Sequence, residues 1–412
     1  MQQVSEVSSD TSPLKSSGSP REIQIGLLTG GEDRPYALGL AMALAAKNIR
    51  QDFIGSDQLE SPELLKAPKL RWLNLRGDMR SDVPATDKVF RVLTYYARLL
   101  RYVATTRARI FHILWNNRFE YFDRTFMMAF YRLLGKKVVF TAHNVNARKR
   151  DGTDTALNRL TLRIQYRLCH HIFVHTDKMK AELTQDFGIP SDTVTVIPFG
   201  INETVPNTDL TCADAKTTLG VSEDARTILF FGRIGRYKGL EFLVEAFLRL
   251  AGDNGLYRLV VVGKPKGGSE EYLEAIRREI QASKCRDQVI QKIEFVPDEQ
   301  TELYFKAADV LVLPYTDIFQ SGLIFLAYHF GLPVIATDVG SFREEIVEGS
   351  TGYICPPKDA LALQNAIGRY FESDLYKNLS THRRKIRDYA RARHSWEVVA
   401  DMTQIVYSRV SS

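Results

Sequence analysis

The chain opens with a strand, a glycine turn and a helix, and that succession constrains its fold more than any other feature. Arg21 to Leu28 (REIQIGLL) passes from alternating to continuously apolar residues and stops at Thr29-Gly30-Gly31. A helical pattern from Tyr36 to Lys47 follows, apolar on most faces. A strand joined through glycines to such a helix is the first unit of a parallel α/β sheet. The unit recurs. Phe111 to Trp115, Lys137 to Thr141, His171 to His175 and Val194 to Pro198 read as further buried strands. Strands apolar on both faces need helices over both faces, so residues 21–200 are predicted to form one doubly wound domain.

After Pro198-Phe199-Gly200 the chain turns to Asn, Thr, Asp and Pro, and the interdomain linker is placed at 201–222. A second series then begins, over 223–394. Its strands are expected at Thr227 to Phe231, Tyr257 to Val262, Lys292 to Phe295, Val310 to Leu313 and Pro333 to Ala336. Helices such as Leu240 to Leu250 and Glu270 to Ala282 lie between them. The fold class is therefore α/β: two Rossmann-like domains facing a cleft. A length of 412 residues suits two domains of roughly 200 each.

Composition excludes several classes. With 44% apolar and 25% charged residues the chain is neither disordered nor fibrous. No apolar run approaches the ~18 residues that span a bilayer. Residues 1–20 hold seven serines and no apolar core, as in a disordered tail rather than a secretion signal, so a cytoplasmic location is expected. Cys169, Cys212, Cys285 and Cys355 form no CxxC pair, which suits neither zinc nor a disulfide framework. The net charge of +6 is modest and no recognition motif accompanies it, so nucleic acid is not an expected partner.

Two loops carry the chemistry. In Phe231-Gly232-Arg233-Ile234-Gly235-Arg236-Tyr237-Lys238-Gly239 a strand ends in glycine, and Arg233 and Lys238 precede a helix. Two cations beside helix-terminal amides suit a diphosphate leaving in a displacement, and both side chains are expected to border open cleft. In Pro314-Tyr315-Thr316-Asp317-Ile318-Phe319-Gln320-Ser321-Gly322, Ser321 and Gly322 occupy cap and first-turn positions, with free N–H groups at the helix start.

As a set, FFGRIGRYKGLEFLVEAF, ADVLVLPY, QSGLIFLAYHFGLPVIATDVGSFREEI and STGYICPPKDALAL resemble the C-terminal domain of GT-B fold glycosyltransferases of the family 4 type. The first half is similar in outline, through its glycine loop, Phe140-Thr141-Ala142-His143-Asn144 and Val196-Ile197-Pro198-Phe199-Gly200. The resemblance implies a retaining transferase of nucleotide-sugar donors acting on a saccharide or lipid-linked acceptor, without a metal or other cofactor. It implies that Arg233 and Lys238 bind the diphosphate and that His143 faces the donor sugar. Gly232, Asp317, Gln320, Ser321 and Gly322 would surround the donor, and Gly30 and Gly31 would line the cleft. It also implies that the last segment, 395–412, is a helix crossing back onto the first domain. The family carries two glutamates with seven residues between them around the donor helix. Here those places fall on Phe319 and Ala327, or on Ile318 and Leu326, so neither carboxylate is present. Two other readings follow from the same architecture: a nucleotide-sugar 2-epimerase, or a binding partner that has lost catalysis.

His112, within an apolar strand, reads as a core histidine. His170, His171 and His175 lack neighbouring acids or thiols at ligand spacing, so no metal site is expected. Residues 87–109 hold six Lys or Arg against one Asp, interleaved with Tyr95, Tyr96, Leu99 and Leu100. Such a helix either packs one face and solvates the other or docks on anionic lipid at the inner face of the membrane.

Overall fold

The computed structural model describes residues 23–30, 34–80, 84–117, 119–150, 152–201, 205–252 and 254–411. The tail at 1–20 and Gly31 lie outside the described residues. The first sheet has seven strands: β1 (Gln24–Leu28), β2 (Arg50–Gly55), β3 (Leu70–Asn74), β4 (Ile110–Ile113), β5 (Lys137–Thr141), β6 (His171–Val174) and β7 (Val194–Val196). They lie in the order β3-β2-β1-β4-β5-β6-β7, all parallel. The second has β8 (Arg226–Phe231), β9 (Tyr257–Val262), β10 (Val289–Lys292), β11 (Val310–Leu313), β12 (Val334–Thr337) and β13 (Gly352–Cys355). Its order is β10-β9-β8-β11-β12-β13, again parallel throughout.

Helices α1 (Arg34–Ala46), α2 (Ala85–Thr105), α3 (Asp177–Asp186), α4 (Cys212–Thr218), α5 (Gly322–His329), α6 (Leu379–His394) and α7 (Trp396–Ser411) matter below. One apolar cluster joins α1 to β1, β2 and α7 on one face of the first sheet. A second fills the opposite face under α2, and the largest surrounds the second sheet. Leu27, Phe53, Val139 and Phe173 face the first cluster while Leu28, Ile54, Val138 and Ile172 face the second, which is why these strands read as apolar on both sides.

Three expectations change. Strands β2, β3 and β13 are additional; β2 escapes notice because it reads as polar, with Gln51 and Asp52 both buried. Gln51 Nε2 donates to the Ala41 carbonyl (2.6 Å), and Asp52 takes Arg71 (2.8 and 2.7 Å) and the Tyr102 hydroxyl (2.6 Å). The strand placed at 292–295 ends at Lys292, and Phe295 beyond it is exposed. Much of 201–222 belongs to the second domain: Ile201 and Val205 join its core, and Lys216 of α4 binds Asp309 inside it (3.1 Å).

The last helix lies on the first domain. Val399, Val406 and Tyr407 of α7 enter the core beneath α1, and Tyr407 Oη meets His112 Nδ1 at 2.6 Å. The crossing is pinned where α6 ends, since Ile201 N donates to the His394 carbonyl (3.0 Å) and Trp396 Nε1 to the Ile201 carbonyl (2.8 Å).

Candidate active site in the interdomain cleft

Each sheet reverses its order between its first strand and the one on the other side: β1 with β4, and β8 with β11. Loops beyond the carboxyl ends of strands diverge at such a point and leave a crevice for ligand. Gly30 follows β1, Gly232 and Arg233 follow β8, and 314–322 follow β11. His143 follows β5, next to β4.

Gly30 has φ +63°, and a Cβ there would stand 2.5 Å from Trp115 Cβ, so the β1 loop closes onto the end of β4 only without a side chain. The Trp115 ring in turn lies flat on His143, 4.2 Å between centres and 5° between planes. Tyr36 of α1 meets the same imidazole edge-on at 4.6 Å. His175 Nε2 is 3.0 Å from His143 Nδ1, and His175 Nδ1 is 3.2 Å from the Ile197 carbonyl. These contacts assign the protons. A carbonyl only accepts, so His175 carries its proton on Nδ1 and offers a lone pair at Nε2. His143 therefore donates from Nδ1, and its Nε2 is an acceptor. That atom is buried and has no partner among the described residues. Burial, then the neighbouring His175, holds the His143 imidazole well below its usual titration range, so it stays neutral at pH 7.

The two cations of the second domain part company. Arg233 is exposed and makes no hydrogen bond or ion pair among the described residues. Lys238 differs from the expectation: it is only 7% exposed, and its ammonium bonds the Tyr315 hydroxyl, 4.4 Å from that ring's centre. The cause is the tight turn at Arg236–Lys238, which carries Lys238 beneath the loop towards the end of β11. Burial lowers its pKa to about 8. Tyr315 Oη lies 3.4 Å from Ser321 Oγ, and Ser321 Oγ accepts from Leu323 N at the start of α5 (3.4 Å). Lysine, tyrosine and helix cap thus form one chain of contacts.

Gly322 opens α5 beside Phe199, whose ring stacks on Phe325 (5.4 Å, 15°) and lies 6.2 Å from His143. One phenylalanine therefore joins the donor-side helix start to the first domain's histidine. Gln320 Nε2 and Ser341 Oγ, on the adjoining loops, are buried without partners among the described residues. Asp317 is exposed and unpaired among the described residues. Leu326 and Ala327 are buried in α5, where a carboxylate would be stranded without water. His112 is a satisfied core histidine, bonded also to Thr141 Oγ1 (2.7 Å). Among the described residues no three His, Cys, Asp or Glu gather in a way that could hold a metal. No described helix is long and apolar enough to cross a membrane.

Sequence reading did not single out Tyr315, Trp115, Tyr36 or His175 for the site. His175 was within reach, because it ends β6 as His143 ends β5. Tyr36 and Trp115 act through a tertiary stack that spacing does not reveal.

Comparison with known proteins defines the class. Residues 35–205 match the family model described as Glycosyltransferase Family 4, and residues 214–393 that described as Glycosyl transferases group 1. Between them the matches take in both domains, and the chain belongs to the GT-B glycosyltransferases. It is 27% identical over 247 residues to a D-inositol 3-phosphate glycosyltransferase of Corynebacterium urealyticum, covering 57% of this chain and 56% of that one. The chain thus spans about half the length of such curated relatives. Among solved structures, sucrose-phosphate synthase of Thermosynechococcus elongatus superposes with a TM-score of 0.74 at 20% identity, over 94% of this chain and 99% of that one. Anabaena HepE in complex with UDP superposes at 0.71 with 15% identity, over 94% and 100%. These two likenesses establish the fold.

Proposed function

We propose that the protein moves a sugar from a nucleoside diphosphate donor to a hydroxyl of a saccharide or lipid-linked saccharide, with retention of configuration. The observation that supports this best is a set of unsatisfied groups beyond the carboxyl ends of strands in both sheets. Among the described residues an unpaired guanidinium (Arg233), a buried amide nitrogen (Gln320 Nε2) and a buried imidazole acceptor (His143 Nε2) lie on the loops after β8, β11 and β5. Buried polar atoms are nearly always satisfied, so orphans gathered at a crevice point to a ligand that completes them. Arg233 and the N–H groups at the start of α5 meet the diphosphate as its charge grows, with the Lys238 ammonium behind them. His143 Nε2 accepts from a donor-sugar hydroxyl. Charge stabilisation of the leaving group is then the main source of rate, and no metal is needed. With no obvious carboxylate nucleophile in the sequence, front-face attack assisted by the departing phosphate is the retaining route that the family resemblance implies.

The similar protein from C. urealyticum is a glycosyltransferase, which favours this reading over donor epimerisation. The reaction belongs on the cytoplasmic side, where nucleotide sugars are made. A thermal-shift screen across UDP-, GDP-, ADP- and TDP-sugars, followed by incubation with the labelled form of whichever binds, tests it. A ligand that binds only the folded state raises the melting temperature. Transfer or slow donor hydrolysis is expected. Interconversion of the donor, or binding without turnover, would overturn the reading.

A further inference from the structure

Helix α2 leaves an apolar stripe uncovered at its start. Phe90 is 72% exposed, Leu93 60% and Val89 58%, although Tyr95, Tyr96, Leu99 and Val103 of the same helix are buried. Phe119 and Phe126 are exposed beside them, and Phe122 stacks on Phe126 at 4.9 Å. Between these elements opens a groove of about 580 Å³, walled by Leu93, Tyr96, Phe119, Tyr121 and Phe122 with Arg148 at its side. A contiguous surface of this kind is uncommon on a protein that stays in water.

Charge indicates what covers it. Helix α2 carries Lys88, Arg91, Arg98 and Arg101 against Asp87, and Arg98 and Arg101 are exposed further along the uncovered side. Glu120, in the groove wall, is neutralised by Arg124 (2.7 Å) and Arg148 (3.7 Å). Aromatic and aliphatic side chains beside Lys88, Arg98 and Arg101, which have no acidic partner among the described residues, fit the boundary between headgroups and acyl chains of an anionic bilayer. The groove lies near the cleft in sequence. Its Phe119 lies on the loop after β4 that carries Trp115, the residue stacked on His143.

We propose that this face docks on an anionic lipid surface, with Phe90, Leu93 and Phe119 entering the headgroup layer and the groove receiving a hydrocarbon chain. Of the two acceptor classes above, the lipid-linked one follows; that choice, unlike the docking itself, rests on the transferase reading. The test is co-sedimentation of the full chain with vesicles of phosphatidylcholine and phosphatidylglycerol in equal parts, against phosphatidylcholine alone. Binding is expected only to the anionic vesicles, weakening at least about tenfold in roughly 0.5 M salt. Phe90→Ser with Leu93→Ser should weaken it about tenfold or more, because the apolar anchor is lost while the charges remain. Both residues are exposed or at a groove edge, so the melting temperature and the nucleotide-sugar thermal shift should stay at parent values. Equal binding to neutral vesicles, no vesicle binding at low salt, or parent-level binding by the double variant would each overturn the docking. Nucleotide-sugar binding without vesicle binding leaves the transferase reading standing and removes this one. Vesicle binding without any nucleotide-sugar response does the reverse.

Discussion

At the scale of single residues, Arg233 and Lys238 looked equivalent in sequence and differ in three dimensions. Arg233 is exposed, so Arg233→Ala should lower transfer by about 100-fold, on the order of 3 kcal/mol of leaving-group stabilisation, with an unchanged melting temperature. Near-parent turnover would place the donor phosphates elsewhere. Lys238 is buried against Tyr315, and its pKa of about 8 ties activity to pH. The ammonium is present below that value and lost above it. If the charge is needed, kcat/KM, which reports the free enzyme, should fall about tenfold per pH unit above roughly pH 8. Lys238→Arg keeps a cation at any accessible pH, so whatever activity it retains should lack that alkaline limb. An identical limb in the arginine variant would assign the titration to another group. The sequence made both cations visible as types. It could not show that the turn at Arg236–Lys238 sends one under the loop, because that depends on β11 presenting Tyr315.

At the scale of elements, strands buried on both faces were legible because their apolar runs stand out, and β1, β5, β9 and β11 lie where those runs predict. Polar strands were not. Strand β2 is held by Gln51 and Asp52 satisfying groups on α1, β3 and α2, partners that only the assembled sheet supplies. Helix α1 offers a similar case at Gly39. By helix propensity alone, Gly39→Ala should stabilise by about 1 kcal/mol. However, an added Cβ would lie 2.1 Å from the Trp396 indole, and Gly200 approaches the same ring with its own Cβ position at 2.4 Å. The ring also holds Ile201 through Nε1, so it cannot simply swing aside. Overpacking of this kind costs about 1–3 kcal/mol and outweighs the propensity gain. Gly39→Ala should therefore melt several degrees below the parent in thermal denaturation. A higher melting temperature would mean that α7 is not pressed against α1.

At the scale of the whole molecule, the two domains meet through groups whose protonation matters. His112 ties the first sheet to α7, His143 and His175 form the floor of the cleft, and His394 ends α6 beside Glu345 (3.3 Å) where the chain crosses back. Burial lowers His112 to about 3, His175 and His394 to about 4, and His143 well below its usual range. A histidine that stays neutral when folded but titrates near 6.5 when unfolded leaves the unfolded chain binding more protons between those values. Stability then falls as pH drops from about 6.5 towards 4. Glu345 works the other way: burial raises its carboxyl to about 7, so the folded state holds a proton there that the unfolded chain releases. Over roughly pH 4.5 to 6.5 Glu345 and His394 offset each other, which leaves His112, His143 and His175 together with His170 and His171, both of which burial lowers to about 4; each contributes at most about 1.4 kcal/mol per pH unit. An upper limit of about 7 kcal/mol per unit is enough to remove most of a typical domain's stability within two units. The melting temperature should accordingly be nearly level from pH 8 to 7 and drop steeply below 6. Replacing His175 by Gln, which keeps a donor for the Ile197 carbonyl but cannot take up the proton, should make that drop about a fifth shallower. A melting temperature that stays flat to pH 5 would show that these imidazoles reach solvent and that the seam between the domains is looser than the contacts at His112, Phe199 and Trp396 imply.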